Sequence, residues 1–167
     1  MNKVWNVNML LCESTDKNVS EINNVFDTLI VNRESKQGGF TILTIVNAIK
    51  NELDTFGLYY FLEYIGNERG RVLYLGESIS QKTDVHQIRK YKALRRTYKL
   101  PSISQKIIKF KVENCVFPLE GEYAVKLYKY DGKEVIRQTE KYSTRDMLDR
   151  MDEDHLVSFY PFIVEYE

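Results

Sequence analysis

The sequence predicts a mainly β fold: a two-layer antiparallel β-sandwich of eight or nine strands with one or two short helices. Three observations carry that expectation. Twelve tyrosines and eight phenylalanines stand against eight glycines and three prolines in 167 residues, and flat amphipathic rings suit a half-buried pleated surface. Most apolar segments alternate with polar residues at the period of a strand. Turn-forming clusters recur between them, above all Asp131-Gly132 inside residues 122–139, which reads as two strands joined by a two-residue turn. A closed barrel is the alternative architecture.

Taken in order, residues 3–12 place Trp5, Val7, Met9 and Leu11 in one phase, a first strand with one buried face. Residues 13–24 are polar and rich in turn formers, so they read as a loop. Residues 25–32 resume as a second strand, and 33–39 form a connection ending in a glycine pair. Residues 40–53 carry two competing periods. Ile42, Ile45, Val46, Ile49 and Leu53 fit a helix, whereas Phe40, Ile42, Thr44 and Val46 fit a strand. β-Branched residues dominate its first half, which favours a strand with a helical turn at its end.

Residues 56–65 are apolar on both faces, as in the middle of a sheet, and the glycine-bounded turn 66–70 leads into a strand at 71–77. After Ser80 the alternation stops. Ile88, Tyr91 and Leu94 or Arg95 then fall on one face of a short helix, capped by Thr83 or Asp84 and ended by Pro101. Residues 103–117 are a strand with Ile108, Phe110 and Val112 on one face and Lys109, Lys111 and Glu113 on the other. Beyond the 122–139 hairpin, Ser143 or Thr144 caps a helix at 145–151. The chain closes on an aromatic strand, 155–166, in which Pro161 suggests an edge position.

Length and composition predict one domain over residues 1–167, with a basic insertion at about 80–102. A hydrophobic fraction of 43% excludes disorder as a reading of the whole. The N-terminus lacks the apolar run and small-residue site of a signal peptide, and no stretch is long enough for a membrane span. Cys12 and Cys115 sit in apolar segments and read as buried free thiols, the usage of a cytoplasmic protein. A disulfide between two strands is the alternative.

The block Phe117, then Gly121-Glu122-Tyr123, then Asp131-Gly132 resembles a family of small uncharacterised bacterial and phage immunoglobulin-like β-sandwich proteins. Looser likeness extends over Val4 to Val46 and Tyr59 to Glu77. The resemblance implies a sandwich and no catalytic residues. The basic insertion and the acidic run near the C-terminus depart from that pattern.

The strongest anomaly is charge. Residues 82–111 contain ten Lys or Arg and one acid, Asp84, for a net of +9, so the other 137 residues of this neutral chain carry −9. Arg89, Lys90, Lys92, Arg95, Arg96 and Lys99, interleaved with Tyr91 and Tyr98, form the candidate binding patch. Its expected partner is an acidic protein or a second copy of the chain, with nucleic acid possible through phosphate contacts and base stacking, and no membrane. A solvated face paired with the chain's own acids is the plainer alternative. Asp149, Asp152 and Glu153 would share a helical face within the acidic run 146–154.

Asp152, Asp154 and His155 lack the ligand order of a calcium loop, so no metal or other cofactor is expected. His86 and His155 lie in no nucleophile arrangement, and no phosphate loop or nucleophile elbow occurs. Glu63 and Glu77 are the carboxylates that could pair as acid and base. The expectation is a non-enzymatic binding module that uses the basic insertion, with no catalytic residues.

Overall fold

The computed structural model describes residues 4–49, 55–66, 71–80, 103–136 and 143–167. Among them, nine strands form two facing sheets: β1 (Val4–Thr15), β2 (Ile22–Val25), β3 (Thr28–Val31), β4 (Gln37–Ile49), β5 (Phe56–Tyr64), β6 (Val72–Ser80), β7 (Ile103–Val116), β8 (Gly121–Asp131) and β9 (Leu156–Tyr166). The first sheet has the order β2-β1-β4-β7 and the second β3-β9-β8-β5-β6. This is the expected two-layer sandwich. All pairs are antiparallel except β3 with β9, which runs parallel.

Alternation decides which face meets the core. Leu11 of β1, Phe40, Ile42 and Val46 of β4, Phe56, Leu58, Tyr60 and Leu62 of β5, and Tyr123, Val125 and Leu127 of β8 turn inward. Their burial supplies most of the stabilisation, about 1.5–3 kcal/mol for each large side chain. Rings fill one end of this layer. Phe26, Phe40, Phe117, Tyr123 and Phe162 pack mostly edge to face, with centroids 5.3–6.4 Å apart. Further along, Phe110 stacks on Tyr60 at 4.7 Å, and the Tyr60 hydroxyl shares a hydrogen bond of 2.8 Å with Thr44.

The competing periods of residues 40–53 have a simple cause. β4 is an inner strand between β1 and β7, so Thr41 and Leu43 on its outward face are buried along with Phe40 and Ile42 on its inward one. A strand buried on both faces loses its alternation.

Four expectations need correction. The hairpin at 122–139 does not form among the described residues. β8 lies between β5 and β9, and the chain then enters a 3-10 turn at Gly132–Glu134. A two-residue hairpin of this kind needs positive φ at both central residues. Gly132 has φ +57, but Asp131 is extended with φ −114 and ψ 146. Asp131 instead pairs with Phe56 and binds the ammonium of Lys129, whose side chain is only 4% exposed. Gly132 N–H donates to the Thr55 carbonyl at 2.8 Å.

The expected strand at 25–32 is two strands in different sheets, joined by a corner at Phe26-Asp27. There Phe26 N–H donates to Leu11 of one sheet, while the Asp27 carbonyl accepts from Ile163 N–H of the other. The loop expected at 13–24 is shorter, because β1 runs to Thr15 and β2 begins at Ile22. Finally, β9 is an inner strand. Pro161 is tolerated because β3 pairs only with residues 163–166, leaving its missing N–H unneeded.

The Gly121-Glu122-Tyr123 block has a structural meaning. Gly121 has φ +128 and lies against the Tyr64 side chain, where a Cβ would come to 3.2 Å from the hydroxyl and 3.3 Å from the ring. Tyr123 then folds its hydroxyl back on the preceding turn, donating to Leu119 O at 2.7 Å and accepting from Leu119 N–H at 3.3 Å. That is a tyrosine corner, which pins the entry of a strand in many sandwiches. Burial pushes its phenol up to about 12, and the Leu119 contact opposes the shift.

Candidate functional site

The basic insertion connects β6 to β7 in the chain order. β6 ends one sheet and β7 ends the other, so the residues between Ser80 and Ile103 are the crossover between two edge strands. The opposite flank is closed by the Phe26-Asp27 corner between β2 and β3. The crossover's described neighbours, Ser80 and Ile103, lie where β4 ends and β5 begins, away from the aromatic end, since Ile49 pairs with Ile103 and Phe56 with Ser80 and Asp131. Arg89, Lys90, Tyr91, Lys92, Arg95, Arg96, Tyr98 and Lys99 lie outside the described residues, as do His86 and the helix expected there.

The described part of the basic stretch runs up β7. Lys109 and Lys111 project from the outward face and are exposed. Lys109 Nζ donates to the Thr15 carbonyl at 3.3 Å, and Lys111 pairs with Glu113 at 2.6 Å. The hydrogen bond from Lys111, and then its charge, hold the Glu113 carboxyl below its ordinary range. Both partners of this pair are 64% exposed, so solvent screens it and both charges remain open to a partner.

The outward face of the other sheet carries a second aromatic layer that the sequence reading did not single out. Tyr59 and Phe61 of β5 and Tyr128 and Tyr130 of β8 are buried there under Met147 of the helix α1 (Thr144–Arg150). Tyr59 sits edge-on to Tyr130 at 5.8 Å and Phe61 edge-on to Tyr128 at 5.6 Å. The helix starts as expected. Ser143 accepts from Asp146 N–H at 3.1 Å and Asp146 accepts from Ser143 N–H at 3.3 Å, a reciprocal cap. The Ser143 hydroxyl, donating to the Asp146 carboxylate at 2.7 Å, and then Ser143 N–H hold that carboxyl low.

The helix stops at Arg150, so Asp149, Asp152 and Glu153 do not share a helical face. Asp152 instead caps a 3-10 turn at Glu153–His155. The reading of the acidic run as one helical face is thereby corrected.

The titratable groups on this face are held in structural bonds. Glu63 pairs with Lys126 at 2.7 Å. Burial works against the charge of Lys126, but the hydrogen bond and charge of Glu63 outweigh it and leave the lysine above its ordinary value. Tyr74 donates to Glu77 at 3.0 Å, and burial raises the Glu77 carboxyl despite that bond. Tyr59 donates to the Ile136 carbonyl at 2.7 Å, and burial pushes its phenol up to about 12. His155 stacks on Tyr130 at 4.1 Å and lies 3.5 Å from Glu134.

Glu63 and Glu77, the carboxylates named as a potential acid–base pair, do not converge. Glu77 is opposite Tyr59, four residues along β5 from Glu63, roughly 13 Å at the rise of a strand. Among the described residues no group of His, Cys, Asp or Glu is placed to hold a metal ion. Cys115 is buried in the core, and Cys12 follows inward-facing Leu11 and turns to the other face of its sheet. Both are free thiols, so the disulfide alternative is set aside.

The raised Glu77 carboxyl yields a pH prediction. A carboxyl with a higher pKa folded than unfolded takes up protons on folding, so its charge opposes folding above the folded pKa and that penalty disappears as pH falls below both values. Glu77→Gln should therefore raise the thermal midpoint modestly at neutral pH and leave it unchanged in acid. Equal shifts at both pH values would contradict the burial explanation.

No protein-family model and no curated protein sequence matches the chain. Among solved structures, it is similar to the CARDB domain of a Pyrococcus furiosus protein in complex with di-metal ions, at 10% identity and TM-score 0.48, covering 99% of this chain and 96% of that one. It is also similar to a bacterial adhesin from Mobiluncus mulieris with intramolecular disulfide, isopeptide and ester cross-links, at 12% identity and TM-score 0.43. That alignment covers 98% of this chain and 57% of the adhesin, so the chain spans little over half of that structure. The sandwich assignment rests on the strand pairing itself.

Proposed function

We propose that the chain is a non-catalytic binding module that engages an acidic protein partner through the basic crossover 82–99. One observation carries this reading. The segment that concentrates the positive charge of a neutral chain joins the two edge strands β6 and β7 at one end of the sandwich. Two packed sheets and an aromatic core give that crossover a rigid base, the arrangement by which β-sandwiches present binding loops. Free buried thiols favour a reducing, cytoplasmic setting. Tyr91 and Tyr98 among the basic residues favour single-stranded nucleic acid as the second reading, through stacking on their rings.

Charge reversal separates these readings from an inert, solvated segment. Arg95→Glu with Arg96→Glu should leave the unfolding transition unchanged and weaken capture of the acidic partner about tenfold or more. The wild-type interaction should also weaken as salt is raised. A pull-down from cell extract at two ionic strengths, followed by titration of a thymidine oligonucleotide, measures both. Binding that ignores the reversal would contradict the proposal, and loss of oligonucleotide binding alone would favour nucleic acid.

A further inference from the structure

We propose that the free edge of β7 is a strand-addition site for an extended peptide in which acidic residues alternate with apolar ones. The inference rests on the reading above that the partner is acidic, and it assigns that partner's backbone a place. With 14 residues, β7 is the longest described strand, and it ends its sheet. Its inner side pairs with β4 along almost its whole length. Among the described residues no strand pairs with its other side. An open edge offers a row of backbone donors and acceptors to any extended chain, and proteins ordinarily keep such edges short.

The two faces beside that edge differ in chemistry. Ile108, Phe110, Val112 and Cys115 look toward the other sheet. There the gap between β6 and β7 stays open as a slot of about 490 Å³, whose lining includes Leu73, Leu75, Phe110, Val112 and Val116. Leu73 is 42% exposed, although it pairs with buried Leu62. The outward face carries Ile107, Lys109 and Lys111 in line. A strand added along Gln105 to Val112 would send alternate side chains toward the slot and set the others beside the two lysines.

Strand addition takes affinity from the backbone and specificity from alternate side chains, and opposite charges in adjacent strands attract. Apolar residues inward and acids outward complement both faces. A second copy of the chain would bring the same lysines to the same flank. A bulge bounds the regular part of this edge. Gly39 is opposed by Glu113 and Asn114, with Asn114 at φ 51, a bulge that re-aims the strand beyond Val112.

The test is an NMR titration of the full chain, at low salt, with the synthetic peptide Thr-Glu-Val-Glu-Ile-Glu-Val-Glu-Thr and its lysine-for-glutamate counterpart. The acidic peptide should shift the amide signals of residues 105–112 and slow their hydrogen exchange, and the basic one should not. Lys109→Glu with Lys111→Glu should weaken binding about tenfold, with the fold monitored by the unshifted β5 and β8 signals. Leu73→Asp, tested separately, should weaken it with the lysines intact.

Shifts confined to residues 82–99, an unchanged affinity in the double lysine variant, no response to the acidic peptide, or peptide-free dimerisation through β7 would each overturn strand addition. The proposed function fails on a different result, partner capture that survives reversal of Arg95 and Arg96.

Discussion

Phe117→Ala is expected to cost about 3–5 kcal/mol, the range for removing a buried aromatic ring. Phe117 is fully buried and touches the rings of Phe40 at 6.4 Å, Tyr123 at 5.3 Å and Phe162 at 6.3 Å, which come from three strands of both sheets. Removing it opens a cavity whose walls are fixed. Its backbone is also held, since Phe117 N–H donates to Lys36 O and its carbonyl accepts from the Tyr166 hydroxyl at 2.6 Å. Small domains have only about 5–15 kcal/mol in total, so the variant should unfold at much lower denaturant concentration with a similar slope. A shift worth under about 1 kcal/mol would mean that the aromatic end of the core is not packed as described.

Gly76→Val should be nearly as damaging, about 3 kcal/mol or more, for two additive reasons. Gly76 has φ +148, where side chains are strained, and an added Cβ would lie 2.7 Å from the Phe110 ring. That ring cannot easily retreat, because it is stacked on Tyr60, whose hydroxyl is fixed on Thr44. The glycine sits at the irregularity where Tyr60 pairs with Gly76 but Phe61 pairs with Tyr74, leaving Leu75 as the extra residue of a bulge. A double-mutant cycle with Phe110→Leu divides the two causes. If close approach matters, part of the loss should be recovered in the Phe110→Leu background, and identical losses in both backgrounds would leave only backbone strain.

Much of this fold is legible in the sequence because tyrosine, phenylalanine and β-branched residues alternate where one face is buried. Residues 103–117 read as a strand for that reason, residues 56–65 because both faces are apolar between glycine-bounded turns, and the Ser143 and Asp146 spacing announces the helix. The failures are physical. Asp131-Gly132 has the composition of a hairpin turn, yet Asp131 is needed to neutralise Lys129, a pairing two residues apart that a turn reading overlooks. Residues 25–32 look continuous because the corner that separates their two halves contains Phe26, an aromatic buried by contacts with Phe40 and Phe162 far along the chain.

The candidate site divides in the same way. Its charge can be counted in the sequence, residue by residue from Lys82 to Lys111. Its position depends on pairings over long separations: among the described residues β6 pairs only with β5 and β7 only with β4, which makes both of them edges. The slot beside β7 was hidden for a related reason. Leu73 sits in an ordinary strand pattern opposite buried Leu62, yet it is 42% exposed at the flank where β6 has no further described strand.

The central claim is a division of labour between a rigid sandwich and a binding crossover. It is tested most directly by replacing residues 82–99 with a glycine-serine linker of equal length and measuring unfolding and partner capture on the same preparation. A surface connection changed at constant length alters stability little, so the account predicts an unfolding midpoint close to the parent's together with loss of the acidic partner. Capture at parental strength by the linker variant, or collapse of its folding transition, would contradict it.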